Sequence, residues 1–121
     1  MPSRRSATAL AALLTTTGVL HLVAPGPFDG IVPRSLPGTP RFWTLVSGAA
    51  ELAVAAAVAT PPTRRTGATA AAALFVAVFP ANVKMARDWS DRPLPARLVA
   101  YGRLPLQVPL VAWALAVRRS A

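Results

Sequence analysis

Cysteine is absent from this chain, and acidic residues are scarce. Its 121 residues include no Cys, only four Asp or Glu and a single His. Without thiols the chain cannot form disulfides, thiolate metal sites or a dithiol redox pair. The lone histidine and the lone glutamate, Glu51, cannot fill a metal site by themselves, so we predict none.

Charges of either sign are also few. They make up 14% of the chain, whereas hydrophobic residues make up 54%, and an average soluble domain is about 25% charged. The charges are segregated, because arginine pairs at 4–5, 64–65 and 118–119 punctuate long uncharged stretches. A soluble helical bundle would carry charges along every polar face. The pattern therefore predicts an integral membrane protein.

The basic balance of the chain fits a membrane better than a nucleic acid. The formal net charge is +9, but the basic residues flank apolar segments and do not form a stripe with interleaved aromatics. Arginine pairs at segment ends are typical of membrane orientation and of contact with anionic lipid headgroups. We expect the lipid bilayer as a partner and no nucleic acid.

Apolar segments recur along the whole chain. Each has close to the roughly 20 residues that cross a ~30 Å hydrocarbon core as a helix. Prolines follow the first two segments, where they stop a helix. The predicted fold is all-α, an integral membrane four-helix transmembrane bundle in a single domain over residues 1–121. Its predicted spans are about 6–24, 42–60, 67–86 and 96–117. Residues 25–40 hold five prolines, so we expect an irregular connection that packs back onto the bundle or lies at the interface.

The orientation rule does not decide by number alone. Each side of the predicted bundle carries six Lys or Arg. We predict a cell membrane location with both termini cytoplasmic, because the paired arginines lie tightly against helix ends. An alternative is that Arg4-Arg5 and the first apolar run form a secretory signal peptide. The proline-rich stretch that follows is a poor cleavage region.

Polar residues inside the spans converge on one membrane half. In an up-and-down bundle, the polar residues of all four helices lie toward the end with the connections 25–40 and 87–97. Three i, i+4 pairs each share a helix face, namely Thr17 with His21, Ser47 with Glu51, and Arg103 with Gln107. The other membrane half is nearly all Ala, Val and Leu. The predicted ligand-binding residues are His21, Ser47, Glu51, Asn82, Arg103 and Gln107.

Glu51 and Arg103 are the charged residues at the centre of this prediction. Each would be costly to bury alone in a membrane. They lie at comparable depth in the second and fourth helices, which predicts an ion pair between them. His21, Asn82 and Gln107 would be its hydrogen-bonding neighbours.

Simpler interpretations stand beside this one. The Glu51–Arg103 pair could serve only to fix helix register. His21 could be an interfacial histidine that faces headgroups, and Lys84 is expected to snorkel to the interface. The small residues 47–50 are expected to let two helices approach closely.

Known catalytic templates do not fit the sequence. It has no glycine-rich phosphate loop, no Rossmann fingerprint and no Ser-His-Asp pattern. No catalytic residue can be assigned, and whether the protein is an enzyme stays open. What remains is a polar pocket that could bind a small amphipathic ligand or exchange a proton.

Four segments, taken in order, resemble the DoxX-like membrane proteins of bacteria. They are GVLHLVAPGPFDGIVPRSLP, SGAAELAVA, FPANVKMA and RLPLQ, between Gly18 and Gln107. In that family a histidine element and an "IVP…LP" loop precede SG..E, FPAN..MA and R.PLQ elements. The family's marked positions fall on His21, Pro25, Pro33, Pro37, Ser47, Gly48, Glu51, Pro80, Asn82, Met85, Arg103, Pro105 and Gln107.

The resemblance implies an accessory or redox-associated membrane subunit. The family is named after a subunit associated with thiosulfate:quinone oxidoreduction, so a quinone is a candidate ligand for a polar pocket in the outer half of the membrane. Other membrane or redox proteins are candidate partners. This chain has no cysteine, so it cannot run dithiol chemistry itself. The alternatives are a small proton-coupled transporter and a structural membrane partner without chemistry.

Overall fold

The computed structural model describes residues 2–121, with side chains from Arg4 onward. Met1, the first residue of the predicted domain, lies outside the described residues. Within them every regular element is helical, and a single 3₁₀ turn at Pro61–Thr63 precedes the fourth helix. The helices are α1 Pro2–Val23, α2 Gly26–Asp29, α3 Pro40–Ala59, α4 Arg64–Ala77, α5 Phe79–Asp88 and α6 Leu94–Ser120.

Four stretches of the described chain are long and apolar enough to cross a membrane. Only 17–33% of the most apolar window of each is buried within the protein, so most of its apolar side chains face outward, as they do against lipid. The predicted all-α four-helix transmembrane architecture is confirmed, and the protein is a multi-pass membrane protein. The stretches are Arg4–Val23, Pro40–Ala59, Pro61–Asp88 and Leu94–Ser120.

The spans form an up-and-down ring. α1 packs along α3, α3 along α4, and α4 along α6, while α6 closes the ring against α1. The start of α1, the turn after α3 and the end of α6 lie at one end of the bundle, which we call the terminal side. The chain between α1 and α3 and the chain between α5 and α6 lie at the other end, the connection side.

The α1–α3 contact is made close by two glycines. A Cβ built on Gly48 would lie 2.7 Å from the Cβ of His21, and one built on Gly18 would lie 3.0 Å from the carbonyl oxygen of Gly48. Small residues allow this approach between membrane helices. The predicted close approach of two helices at 47–50 is confirmed at Gly48.

The terminal half of the bundle is packed with aliphatic side chains. Its fully buried members include Leu10, Leu14, Val58 and Val117, with alanines between them. A smaller cluster of Ile31, Met85 and Ala100 lies on the connection side. The predicted apolar half is therefore present in the packing.

The third span is broken, whereas 67–86 was predicted as one helix. α4 ends at Ala77, and Val78 donates its N–H to the Leu74 carbonyl at 3.0 Å before α5 begins. The cause is Pro80, which has no N–H and whose ring clashes with the carbonyl group one turn earlier. The sequence indicated a freed carbonyl here but not the break itself.

The connection between α1 and α3 folds back over the bundle. It begins with the one-turn helix α2, where an irregular chain was predicted. The ring of Phe28 stacks on the imidazole of His21 at a centroid distance of 3.9 Å, and Ile31 is buried. The prediction that this connection packs onto the bundle is confirmed.

Two hydrogen bonds from cationic side chains hold the connection in place. Lys84 Nζ donates to the Gly30 carbonyl at 2.9 Å and also pairs with Asp88. Arg41 Nε donates to Asp29 Oδ2 at 2.8 Å. Lys84 thus bonds to the connection, and its predicted snorkelling to the interface stays a prediction.

Candidate functional site

A cavity of about 290 Å³ lies between the spans in the connection half of the bundle. Its walls are largely apolar and include Leu13, Leu14, Ile31, Leu106 and Leu110. The predicted convergence is confirmed as geometry, while binding of a ligand by these residues stays a prediction. Every predicted site residue lines this cavity: His21, Ser47, Glu51, Asn82, Arg103 and Gln107.

Glu51 is bound from α1. Its Oε2 is hydrogen-bonded to the Thr17 hydroxyl, and its Oε1 lies 3.9 Å from Nδ1 of His21. Glu51 is only 8% exposed, so these α1 side chains replace most of the water that a carboxyl group would otherwise hold. Thr17 was noted in the sequence only as a residue on the His21 face, and its role as the direct partner of Glu51 was missed.

The Thr17 hydroxyl can serve Glu51 in either protonation state. Its Oγ1 also lies 3.2 Å from the Leu13 carbonyl oxygen and 3.3 Å from that of Leu14. A hydroxyl carries one proton, so Thr17 can donate it to a Glu51 carboxylate. Alternatively a protonated Glu51 donates to Thr17, which then donates to a carbonyl of its own helix. The carboxyl group can therefore exchange a proton and keep a hydrogen bond to α1.

One of the two ring nitrogens of His21 is already hydrogen-bonded. Its Nδ1 lies 2.6 Å from the Thr17 carbonyl oxygen, which can only accept, so Nδ1 carries a proton. In the neutral imidazole Nε2 is then an acceptor, and within the described residues it makes no hydrogen bond. The side chain is 14% exposed and lines the cavity. The alternative of an interfacial histidine that faces headgroups stays a prediction.

The predicted ion pair between Glu51 and Arg103 is wrong, because these two side chains have other partners. Among the described residues Glu51 pairs with Thr17 and His21, whereas Arg103 Nη1 donates to Met85 Sδ at 3.0 Å. The two charges do lie at similar depth. However, α3 contacts α1 and α4 while α6 contacts α4 and α1, so α3 and α6 stand diagonally in the ring with the cavity between them.

Arg103 has no carboxylate partner within the described chain. Asp29 pairs with Arg41 and Asp88 with Lys84, and no acid lies within ion-pair distance of the Arg103 guanidinium. The Met85 sulfur is only a weak acceptor. The remaining guanidinium donors therefore stay free for an acceptor in the cavity.

Gln107 closes the wall beside the break in the third span. The last carbonyls of a helix have no donor within it, and Gln107 Nε2 donates to one of these, the Phe75 carbonyl oxygen. Gln107 is 8% exposed. The amide nitrogen of Gln107 thus joins α6 to α4.

Asn82 and Ser47 are the uncommitted polar side chains of the wall. Asn82 is 2% exposed, and its buried Oδ1 has no hydrogen-bond partner within the described residues. The Ser47 hydroxyl makes no hydrogen bond to the described chain either. Buried polar atoms nearly always have a partner, so Asn82 Oδ1 marks where a bound molecule or water would complete the site.

Thr44 is a further polar residue of the cavity that the sequence analysis missed. Other helical threonines, such as Thr15 and Thr60, donate to the carbonyl four residues earlier at 2.8 Å. Thr44 is only 2% exposed, and within the described residues its hydroxyl does not donate to a backbone carbonyl in this way. Its hydroxyl is the main cause that lowers the pKa of Asp29, and Arg41 lowers this pKa further. The spacing 44, 47, 51 places it on the face of Ser47 and Glu51, which is the signal that could have identified it.

These features define a class, a four-span membrane bundle with a largely apolar cavity in one half that gathers a few polar side chains. Residues 10–118 match the family described as Domain of unknown function (DUF8561), and the chain belongs to that family. No curated protein and no solved structure matches it. The resemblance to DoxX-like proteins is not tested by this match and stays a prediction.

Proposed function

We propose that this protein is a DoxX-like accessory protein of a bacterial cell membrane whose cavity binds a small amphipathic, quinone-type ligand. The observation that carries the proposal is the cavity itself, which gathers the polar residues of all four spans inside apolar walls. Small-molecule sites commonly combine apolar walls with a few convergent polar groups.

The donors and acceptors of the wall fit a ring that carries oxygen on opposite sides. Arg103 supplies free donors from α6, while Glu51 and His21 lie across the cavity on α3 and α1. Asn82 contributes an amide oxygen that has no hydrogen-bond partner among the residues from Arg4 onward. A quinone-type ring would receive hydrogen bonds at one oxygen from Arg103 and contact the His21 side with the other.

The volume of the cavity allows it to hold only the headgroup of such a ligand. Small-molecule sites range over about 300–1,000 Å³, so a cavity of about 290 Å³ suits one ring and no long tail. A second, more open apolar groove of about 590 Å³ shares Phe75 and Gln107 with the cavity. It is lined by Val76, Val108 and other side chains of α4, α5 and α6, and would hold an apolar tail on the lipid side.

The alternative of a purely structural cluster leaves part of the wall unexplained. Polar residues that serve only helix pairing should bond to one another across helices. Thr17 and Gln107 do so, but Asn82 and Ser47 do not. Nothing in helix pairing accounts for a buried amide oxygen without a donor.

The transporter alternative has one supporting and one opposing observation. Glu51, with Thr17 and His21, can exchange a proton as described above. A conducting route would have to continue through the terminal half, where Leu10, Leu14 and Val58 are fully buried in an aliphatic core. We therefore retain ligand binding as the proposal, with other membrane or redox proteins as candidate partners.

Mass spectrometry of co-purified molecules tests this function. The protein is extracted in mild detergent from bacterial membranes, and the bound lipids and quinones are identified and quantified per mole of protein. We expect a quinone-type molecule in near-stoichiometric amount, and its loss from the His21→Ala and Glu51→Gln variants. Thr16→Val is the matched control, because Thr16 is exposed and bonds only to its own helix at Ala12.

Two results would contradict the proposal. One is an empty protein that also fails to bind an added short-chain quinone in a titration. The other is equal retention of the molecule by both cavity variants and the control, which would place it on the outer surface of the bundle. Elution volume and thermal unfolding of each variant establish that the compared proteins are folded.

A further inference from the structure

The cavity wall contains more free acceptors than a carbonyl compound can satisfy. Asn82 Oδ1 is buried and receives no hydrogen bond from the part of the chain that the structure describes. His21 Nε2 is an acceptor in the neutral imidazole, because Nδ1 is committed to the Thr17 carbonyl. Glu51 Oε1 has only His21 Nδ1 near it, at 3.9 Å, which is beyond hydrogen-bond distance.

A ligand with carbonyl groups alone would match only the donors of the wall. It could accept from Arg103 and from the Asn82 amide nitrogen, and it would leave Asn82 Oδ1 and His21 Nε2 desolvated and unpaired. An unpaired buried acceptor costs more than a hydrogen bond gains. A hydroxyl group both donates and accepts, so it can bond to Arg103 and to an acceptor at once.

The aromatic side chains of the wall favour a ring. Phe28 and His21 stack on each other with an interplanar angle of 20°, and both line the cavity together with Phe75. Aromatic rings pack well in offset or edge-on contact with such side chains.

We infer that the cavity selects a hydroxylated aromatic ring, in its reduced hydroquinone form, over the corresponding quinone. The inference rests on the proposed function, since it names the form of the ligand bound at that same site. Asn82 is the selecting residue, and the acceptors His21 and Glu51 receive the second hydroxyl group. The preference concerns binding alone and needs no electron transfer by the protein.

Calorimetric titration with three matched probes tests the inference. They are an alkylated hydroquinone kept under anaerobic conditions, the corresponding 1,4-benzoquinone, and the 1,4-dimethyl ether of the hydroquinone, all with the same short alkyl chain. The detergent-purified protein should bind the hydroquinone up to about tenfold more tightly than the other two, since one hydrogen bond is worth up to roughly that factor. In Asn82→Leu the preference should fall to about threefold or less.

The possible results separate this inference from the proposed function. Equal affinity for the three probes would overturn the selection of hydroxyl groups and leave ring binding intact. Tighter binding of the quinone would also overturn it. Failure of all three to bind would overturn both proposals. If Asn82→Leu does not fold, the ratio of affinities in the unaltered protein still decides.

Discussion

The Thr17 hydroxyl and the Glu51 carboxyl group are hydrogen-bonded across the close contact of α1 and α3. This bond explains why a glutamate can lie in the middle of an apolar helix. Gly18 and Gly48 bring the two helix backbones together, and the neighbouring turn then places a hydroxyl group against the acid. Glu51 is held by a neutral partner, and the cation Arg103 lies elsewhere in the cavity wall.

Replacing Thr17 with valine should weaken the bundle. Valine has nearly the same shape but no hydroxyl group, so Glu51 would lose its bond to α1 while staying buried. We expect a loss of about 1–2 kcal/mol in the free energy of unfolding, measured by denaturant titration in detergent. Thr16→Val is the control and should stay within about 0.5 kcal/mol, because Thr16 is exposed and bonds only within α1. An equal loss in both variants would show that Thr17 acts through α1 alone.

A double-mutant cycle should find little coupling between Glu51 and Arg103. The two side chains form no ion pair, so the effects of Glu51→Leu and Arg103→Met on unfolding free energy should add within about 0.5 kcal/mol. The parallel cycle of Glu51→Leu with Thr17→Val should show a coupling of about 0.5–1.5 kcal/mol. A coupling of several kcal/mol in the first cycle would restore the ion pair that was predicted from sequence.

The depth of each polar residue along its helix could be predicted from the sequence, but the order of the helices around the ring could not. Apolar run lengths and prolines placed the spans near their observed bounds. The polar residues were correctly assigned to one half, because i, i+4 spacing fixes a helix face. The pairing of Glu51 failed because α3 and α6 lie diagonally, and α1 is the neighbour that reaches it. Only packing, here set by the glycines of α1 and α3, decides that neighbourhood.

Gly48→Ala should destabilise the protein, whereas Gly102→Ala should not. A Cβ at position 48 would lie 2.7 Å from the Cβ of His21, and the helices would have to move apart. We expect a loss of about 1–3 kcal/mol. A Cβ at position 102 meets nothing within 4 Å, so alanine there should be neutral or stabilise α6 by up to about 1 kcal/mol. Thermal unfolding in detergent compares the two, and equal tolerance would contradict the close contact.

Acid should loosen the connection between α1 and α3 only at low pH. The Thr44 hydroxyl and then Arg41 lower the pKa of Asp29 from its usual 3.8. A lowered folded pKa means that the contribution of Asp29 is complete above the unfolded pKa and is lost as pH falls through the folded value. Amide exchange in residues 25–39, corrected for intrinsic rates, should therefore be constant from about pH 7 to 5 and rise below about pH 4. In Asp29→Asn that rise should be absent, and a transition near neutral pH would point to another group.

The residues missed by sequence share a physical cause. Phe28 and Ile31 lie in a proline-rich connection whose path no periodicity describes, so their place over the cavity follows from tertiary packing. The contact of Gln107 with the Phe75 carbonyl exists only because Pro80 breaks the third span. Met85 was marked by family resemblance alone, and its sulfur contact with Arg103 could not be derived from hydropathy.

Cysteine labelling should determine the orientation that the charge count left tied. The chain has no cysteine, so a single introduced thiol reports on one site without a background signal. Ser120→Cys lies at the exposed end of α6 on the terminal side, and Ser90→Cys is exposed on the connection side. With both termini cytoplasmic, a membrane-impermeant maleimide should label Ser90→Cys in intact bacterial cells and Ser120→Cys only after permeabilisation. The opposite pattern would place the connection side, and with it the cavity, toward the cytoplasm.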